Sequence, residues 1–209
     1  MSMNEAAYKT VAAHVSGEIT EKKSRFIADV FPVTTEAEAQ EQITRIQKQY
    51  HDARHHCHAF VLGTRGELSR SSDNGEPSGT AGRPILEVIT GASLTDTLIV
   101  VTRYFGGVLL GTGGLVRAYT QAAQAALANA EIVTHIFGEP LTVRVSYALT
   151  GAVEHYLRTN HIDAGTPVYE TDVRYGLFIP VSDAGRVVDD LTNICSGNID
   201  ITREPPRFS

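Results

Sequence analysis

The segment Arg103-Tyr104-Phe105-Gly106-Gly107-Val108-Leu109-Leu110-Gly111-Thr112-Gly113-Gly114-Leu115 places five glycines between an apolar strand pattern and an Ala-rich helix pattern. Residues 97–102 are β-branched and apolar, as a buried strand requires, and residues 117–130 are rich in helix formers. A glycine loop that feeds a helix start exposes unpaired backbone N–H groups at the positive end of the helix dipole, and it lets a ligand approach the chain. No acidic residue stands between Asp96 and Glu131, although the chain carries a net charge of -6. The segment therefore predicts a site for an anion or a charged polymer; the alternative, glycines kept only for tight turns and close packing, stays open. A nucleotide-hydrolase phosphate loop is excluded, because Leu115-Val116 follows Gly113-Gly114 where Lys and Ser or Thr are needed. The dinucleotide fingerprint fits poorly, since Val116 occupies the place of its third small residue.

A chain of 209 residues can build one large or two modest domains, and two are expected. No apolar run approaches the roughly 18 residues that a membrane span needs, so no membrane association is expected. The first ten residues lack the basic and then apolar regions of a secretory signal. Cys57 and Cys195 are too few and too far apart for a disulfide framework, which points to a reducing cytoplasm. The acidic balance argues against indiscriminate nucleic-acid binding. It leaves room for a local site: the acid-free windows 53–66 and 97–130 hold Arg54, Arg65, Arg103, Arg117, His55, His56 and His58, which would form one positive concavity if they met in space.

Along the chain, Val11, Ala13 and Val15 alternate as in a strand that Gly17 breaks. Residues 26–31 form a second strand after the turn Glu21-Lys22-Lys23-Ser24, giving an antiparallel pair. Thr35 and Glu38 fit a capping box for a helix over 35–50. Residues 57–62 read as a strand, residues 66–82 as a long polar loop, and Pro84 as a helix start. A boundary near 136–140 divides an N-terminal domain, 1–136, from a C-terminal domain, 137–209. The second holds a strand over 141–147, a helix over 150–160, strands over 167–171 and 173–180, a helix capped by Asp183 and ending at Ile194, and a strand over 199–203. That order, βαββαβ, is the ferredoxin-like unit, and the fold class is α+β.

His55-His56-Cys57-His58 suggests a metal, but a strand turns His56 and His58 to one side and His55 and Cys57 to the other, so no metal site is expected. In the loop 72–84, Asp73 and Glu76 could act as acid and base or hold an ion with Ser78 and Thr80; a solvated loop capped by its own side chains is the alternative.

Four ordered motifs resemble the IMPACT family, and its bacterial branch in particular: Lys22-Lys23-Ser24-Arg25-Phe26; Asp52-Ala53-Arg54-His55-His56-Cys57; Ser72-Asp73-Asn74-Gly75-Glu76-Pro77 with Gly79-Thr80-Ala81-Gly82; and Arg103-Tyr104-Phe105-Gly106-Gly107 with residues 110–116. The resemblance implies an N-terminal domain like the second domain of ribosomal protein S5 and a C-terminal domain like the last, ferredoxin-like domain of elongation factor G. Eukaryotic members restrain a stress-activated translation kinase by competing for its activator. The short stretch before Val11 leaves no room for their extra RWD module, so that contact is not expected here. The expected function is translation-associated binding of RNA or a ribosomal surface, without cofactor or metal. Arg54, Arg83 and Arg103 would contact phosphate; Gly106, Gly107, Gly111, Thr112, Gly113 and Gly114 would line the anion site; Tyr104 or Phe105 would stack on a base. His55, His56, Asp73 and Glu76 complete the expected site, which should gather in one cleft. The rivals are an enzyme acting on a small phosphorylated or carboxylated substrate through Asp73 and Glu76, and a protein-interaction module.

Overall fold

Six apolar and β-branched residues after Asp96, followed by Arg103 and Tyr104, form the middle strand of an antiparallel sheet. The computed structural model describes residues 7–209; the first six residues, part of the stretch compared above with a secretory signal, lie outside the described ones. β1 (Ala7–Val11) opens the described chain, and in chain order the first unit, residues 8–134, then contains β2 (Val15–Glu21), β3 (Ser24–Pro32), α1 (Glu36–Gln49), β4 (His55–Leu62), β5 (Leu68–Ser72), α2 (Gly82–Gly91), β6 (Thr97–Tyr104) and α3 (Thr112–Leu127). The sheet order is β2-β3-β6-β4-β5.

Strand alternation gives this sheet two apolar faces. Phe26, Ala28 and Val30 of β3, Cys57, Ala59 and Val61 of β4, and Ile99 and Val101 of β6 pack beneath Ile85 and Ile89 of α2 and Ala118, Tyr119, Ala122 and Ala126 of α3. On the other face Phe31, Phe60, Leu98 and Val100 meet Ala39, Ile43 and Ile46 of α1. The α1 start follows the capping signal, since Thr35 Oγ1 accepts from the Glu38 N–H at 3.2 Å. The Glu38 carboxylate reaches one residue further back than a capping box would place it, to the Thr34 N–H at 2.7 Å.

Several local expectations are corrected. Gly17 lies inside β2 rather than ending it: a Cβ there would stand 2.6 Å from the Ala126 backbone nitrogen, so the missing side chain lets α3 close on the sheet. The strand break falls instead at residues 12–14. Within the supposed loop, Leu68–Ser72 forms an edge strand, whose polar sequence suits a sheet margin. Helix α3 begins at Thr112, five residues before the expected start, so Gly113 and Gly114 belong to its first turn.

The second unit, residues 135–209, follows the order β7 (Ile132–Val145), α4 (Thr150–Thr159), β8 (Val168–Tyr169), β9 (Val173–Pro180), α5 (Val181–Ile194) and β10 (Asp200–Arg203), with a short β11 (Arg207–Phe208). Strand β7 pairs with β9 on one side and with β10 and β11 on the other, and β8 flanks β9. Leu141, Val143, Tyr175, Leu177 and Ile179 pack on Val153, Leu157, Val187 and Leu191 of α4 and α5. Asp183 lies in the first turn of α5 and does not cap it; the N-cap position is Pro180. Among the described residues no helix is long and apolar enough to cross a membrane.

Candidate functional site

Register brings the motif residues together. In the β4–β6 pair His55 stands opposite Arg103 and Cys57 opposite Val101, so His55, Cys57 and Arg103 share the face covered by α2 and α3. The loop after β5 folds back onto this corner. Asn74 and Gly75 adopt positive φ (41° and 86°), which turns the chain so that the Asn74 carbonyl lies 2.9 Å from His55 Nδ1. A carbonyl only accepts, so Nδ1 carries the proton. Asn74 Oδ1 accepts from the His56 N–H at 2.7 Å.

Both loop carboxylates are held by protein partners, the arrangement of a loop capped by its own side chains. Asp73 accepts the N–H groups of Gly79, Ala81 and Gly82 at 2.8, 2.9 and 2.8 Å, supplying the cap that the α2 N-cap residue, Ala81, lacks. Burial alone would raise its pKa; the three N–H bonds outweigh that and hold it below the ordinary value. Glu76 reaches into the corner, where Oε1 accepts from Arg103 Nη1 at 2.7 Å and from the Tyr119 hydroxyl at 2.8 Å. The Cys57 thiol lies 3.3 Å from the Tyr119 hydroxyl. Burial pushes this thiol up to about 12 and the phenol higher still, so both stay neutral.

Arg103, expected to contact phosphate, is only 7% exposed. Its guanidinium carbon sits between the rings of Phe26 and Phe105, 5.4 and 5.6 Å from their centroids. It borders a small cleft, about 260 Å³, with Asp52, Ala53, Arg54, His55, Tyr104 and Phe105. The Tyr104 hydroxyl donates to Asp52 at 2.7 Å, a bond that pushes the phenol up to about 12 and holds Asp52 low. Phe105 is the aromatic left open, 53% exposed.

The remaining expected residues fall in different places. His56 lies on the α1 side of the sheet, its Nδ1 3.2 Å from Thr102 Oγ1, because neighbours on a strand face opposite ways. Burial lowers its pKa, and that of His58. Arg83 pairs with Glu87 one turn along α2, and Arg65 pairs with Glu67 beyond the far end of β4; neither borders the cleft. The positive concavity is thus smaller than the acid-free windows suggested, and Glu76, which stands between those windows in sequence, neutralises its deepest cation.

The glycines divide by role. A Cβ on Gly106 would overlap the Lys23 carbonyl group, and the Gly106 N–H donates to Ser24 Oγ at 3.1 Å, so this residue seats the loop on the β2–β3 turn. Gly107 and Gly111 adopt φ of 83° and 72° in open space, with Gly111 as the α3 N-cap. The Leu115 N–H makes the first helical bond, to the Gly111 carbonyl at 2.9 Å, so Thr112, Gly113 and Gly114 precede it with their N–H groups unclaimed by the helix. No side chain caps this end and no acid stands in its first turn. Lys22 and Lys23, exposed on the turn beneath Gly106, were absent from the expected site; a basic pair at a hairpin turn was the signal. Among the described residues no three His, Cys, Asp or Glu side chains gather as a metal would require.

A two-unit α+β chain with its motif loops gathered on one corner of the first sheet defines the class, and family comparison agrees. Residues 22–127 match the Impact N-terminal domain and residues 143–198 match a domain of unknown function, DUF1949. The chain belongs to the IMPACT family. It is 37% identical over 195 residues to the IMPACT family member YvyE of Bacillus subtilis (strain 168), covering 93% of this chain and 90% of that one. It is 43% identical over 108 residues to the IMPACT family member YigZ of Escherichia coli (strain K12), covering 51% and 53% respectively. A crystal structure described as that of a hypothetical protein superposes with a TM-score of 0.63 at 29% identity, covering 94% of this chain and 96% of the other.

Proposed function

We propose that this chain is a cytoplasmic, translation-associated factor that binds single-stranded RNA or an RNA-bearing ribosomal surface at the corner formed by Lys22, Lys23, Arg54 and Phe105. The observation that carries the reading is Phe105: an open aromatic ring, backed by a buried guanidinium and rimmed by exposed basic side chains. Bases stack on such a ring whatever their identity, and the surrounding cations take the phosphates. The unclaimed N–H groups of the α3 start add donors of the same polarity. Two buried, unpaired cysteines suit a reducing compartment. The five-stranded antiparallel sheet supports kinship with the second domain of ribosomal protein S5, and the βαββαβ order supports the ferredoxin-like assignment, both found in translation machinery. The commitment of Asp73 and Glu76 weighs against the enzyme reading, which needs one of them free.

The test is fluorescence anisotropy of a labelled single-stranded RNA across a salt series. Three phosphate contacts give a slope of log K against log salt near −2, at about −0.7 per contact. Phe105→Ala should weaken binding by about fivefold or more, since stacking is worth roughly 1–3 kcal/mol per base. Salt-independent binding, or an affinity untouched by Phe105→Ala in a folded variant, overturns the assignment.

A further inference from the structure

Among the described residues, the second unit carries a strand edge that is only partly paired. β8 pairs with β9 only at Val168↔Arg174 and Tyr169↔Val173, so among the described residues Tyr175 to Pro180 has a partner strand, β7, on one side alone. A cleft of about 700 Å³ borders that side, and it is lined by every residue of 176–180 in succession. Successive residues of a strand face opposite ways, so one cavity touches them all only where it runs along the strand's edge. The edge sequence Tyr175-Gly176-Leu177-Phe178-Ile179-Pro180 holds no charge, and Gly176 leaves open space where a side chain would stand. Proteins ordinarily guard such edges with charge, bulges or covering segments.

We propose that this edge is a docking groove for an extended, basic segment of a partner protein, which adds a strand beside β9. Main-chain bonding to the free edge supplies affinity, and the charge pattern selects the partner. Residues 135–209 hold ten acidic side chains against six arginines and no lysine, a net charge of −4. Within the groove, Arg186 is held by Asp183 and Asp190 at 3.0 and 3.5 Å, and Arg207 by Glu204 at 3.1 Å, so its cations are already neutralised. One Asp163 oxygen accepts from the Gly165 N–H at 2.9 Å, and among the described residues this carboxylate pairs with no cation. A segment that alternates apolar and basic residues would set the first against β9 and the second toward Asp163. This surface lies within residues 135–209 and is independent of the RNA reading.

The experiment uses the full chain and a fluorescein-labelled eight-residue peptide alternating Lys and Val. Anisotropy should show saturable binding, and amide exchange should slow at residues 176–179. Asp163→Lys, an exposed change, should weaken binding by about two- to fivefold, as the loss of one surface ion pair does. A matching peptide of Glu and Val should bind more weakly. Equal binding of both peptides, or bound Lys–Val peptide without protection at 176–179, overturns the proposal. A stable dimer whose 176–179 amides are protected before any peptide is added also overturns it, by showing that a second copy takes the edge.

Discussion

Replacing Glu76 should lower stability and raise anion affinity at once. Among the described residues its carboxylate is the sole ion-pair partner of Arg103, whose side chain is 8% exposed, and it also accepts the Tyr119 hydroxyl. Glu76→Ala leaves a buried guanidinium uncompensated, a loss of about 3–5 kcal/mol. Glu76→Gln keeps an acceptor at the same place and removes only the charge, so about 1.5–3 kcal/mol is expected. Against a total of roughly 5–15 kcal/mol for a domain, the first change consumes much of the margin. Native-state amide exchange reads this unit by unit. The slowest amides of β6 should exchange roughly 10²- to 10⁴-fold faster in Glu76→Ala and about 10- to 100-fold faster in Glu76→Gln. Those of β9 should be unchanged. With the charge gone, the guanidinium bordering the cleft becomes available to phosphate, and the RNA salt slope should steepen by about 0.7. An acceleration below about fivefold in Glu76→Ala would refute the argument, since it would mean that Arg103 is satisfied without its partner.

Asp73→Asn should destabilise the first unit by about 1–2 kcal/mol through the lost α2 cap. Because the folded-state pKa is held below the ordinary 3.8, the native contribution is complete above that value and fades as pH falls through the folded pKa; wild type and variant should therefore converge in acid melts. Gly106→Ala should cost roughly 1–3 kcal/mol, because the added methyl meets the Lys23 backbone, which cannot swing aside. Gly113→Ala, whose Cβ would find its nearest neighbour 3.7 Å away at the Arg117 guanidinium, should instead stabilise α3 by about 0.5–1 kcal/mol. Melting temperatures that move the same way in both would contradict this division of the glycines.

Much of the layout was legible because it rests on local patterns. The β-branched run of β6, the Thr35 cap and the alternation of His55 to His58 each follow from one residue and its near neighbours. What escaped depends on contacts distant in sequence. Gly17 resembles a breaker until the α3 backbone is seen against it, and Arg103 resembles a surface cation until Glu76, 27 positions away, is found beside it. The helical state of Gly113 and Gly114 escaped because glycine lowers helix propensity, and the rest of α3 overrides that preference. At the candidate site the motif residues were visible in the sequence, but which carboxylates were spent on architecture was not, since that turns on three backbone N–H groups and one buried phenol.

The two-residue turn between β2 and β3 places Lys22 and Lys23 at φ of 45° and 67°. Asn-Gly would occupy those angles with little strain, whereas each lysine gives up about a kilocalorie per mole to stand there. Selection for heat resistance alone would favour exchanging this pair and would do so without disturbing the fold. If the corner binds RNA as proposed, such a lineage would gain robustness and lose that binding, and a thermally improved variant that keeps both lysines would carry, in that one unimproved turn, a record of selection for it.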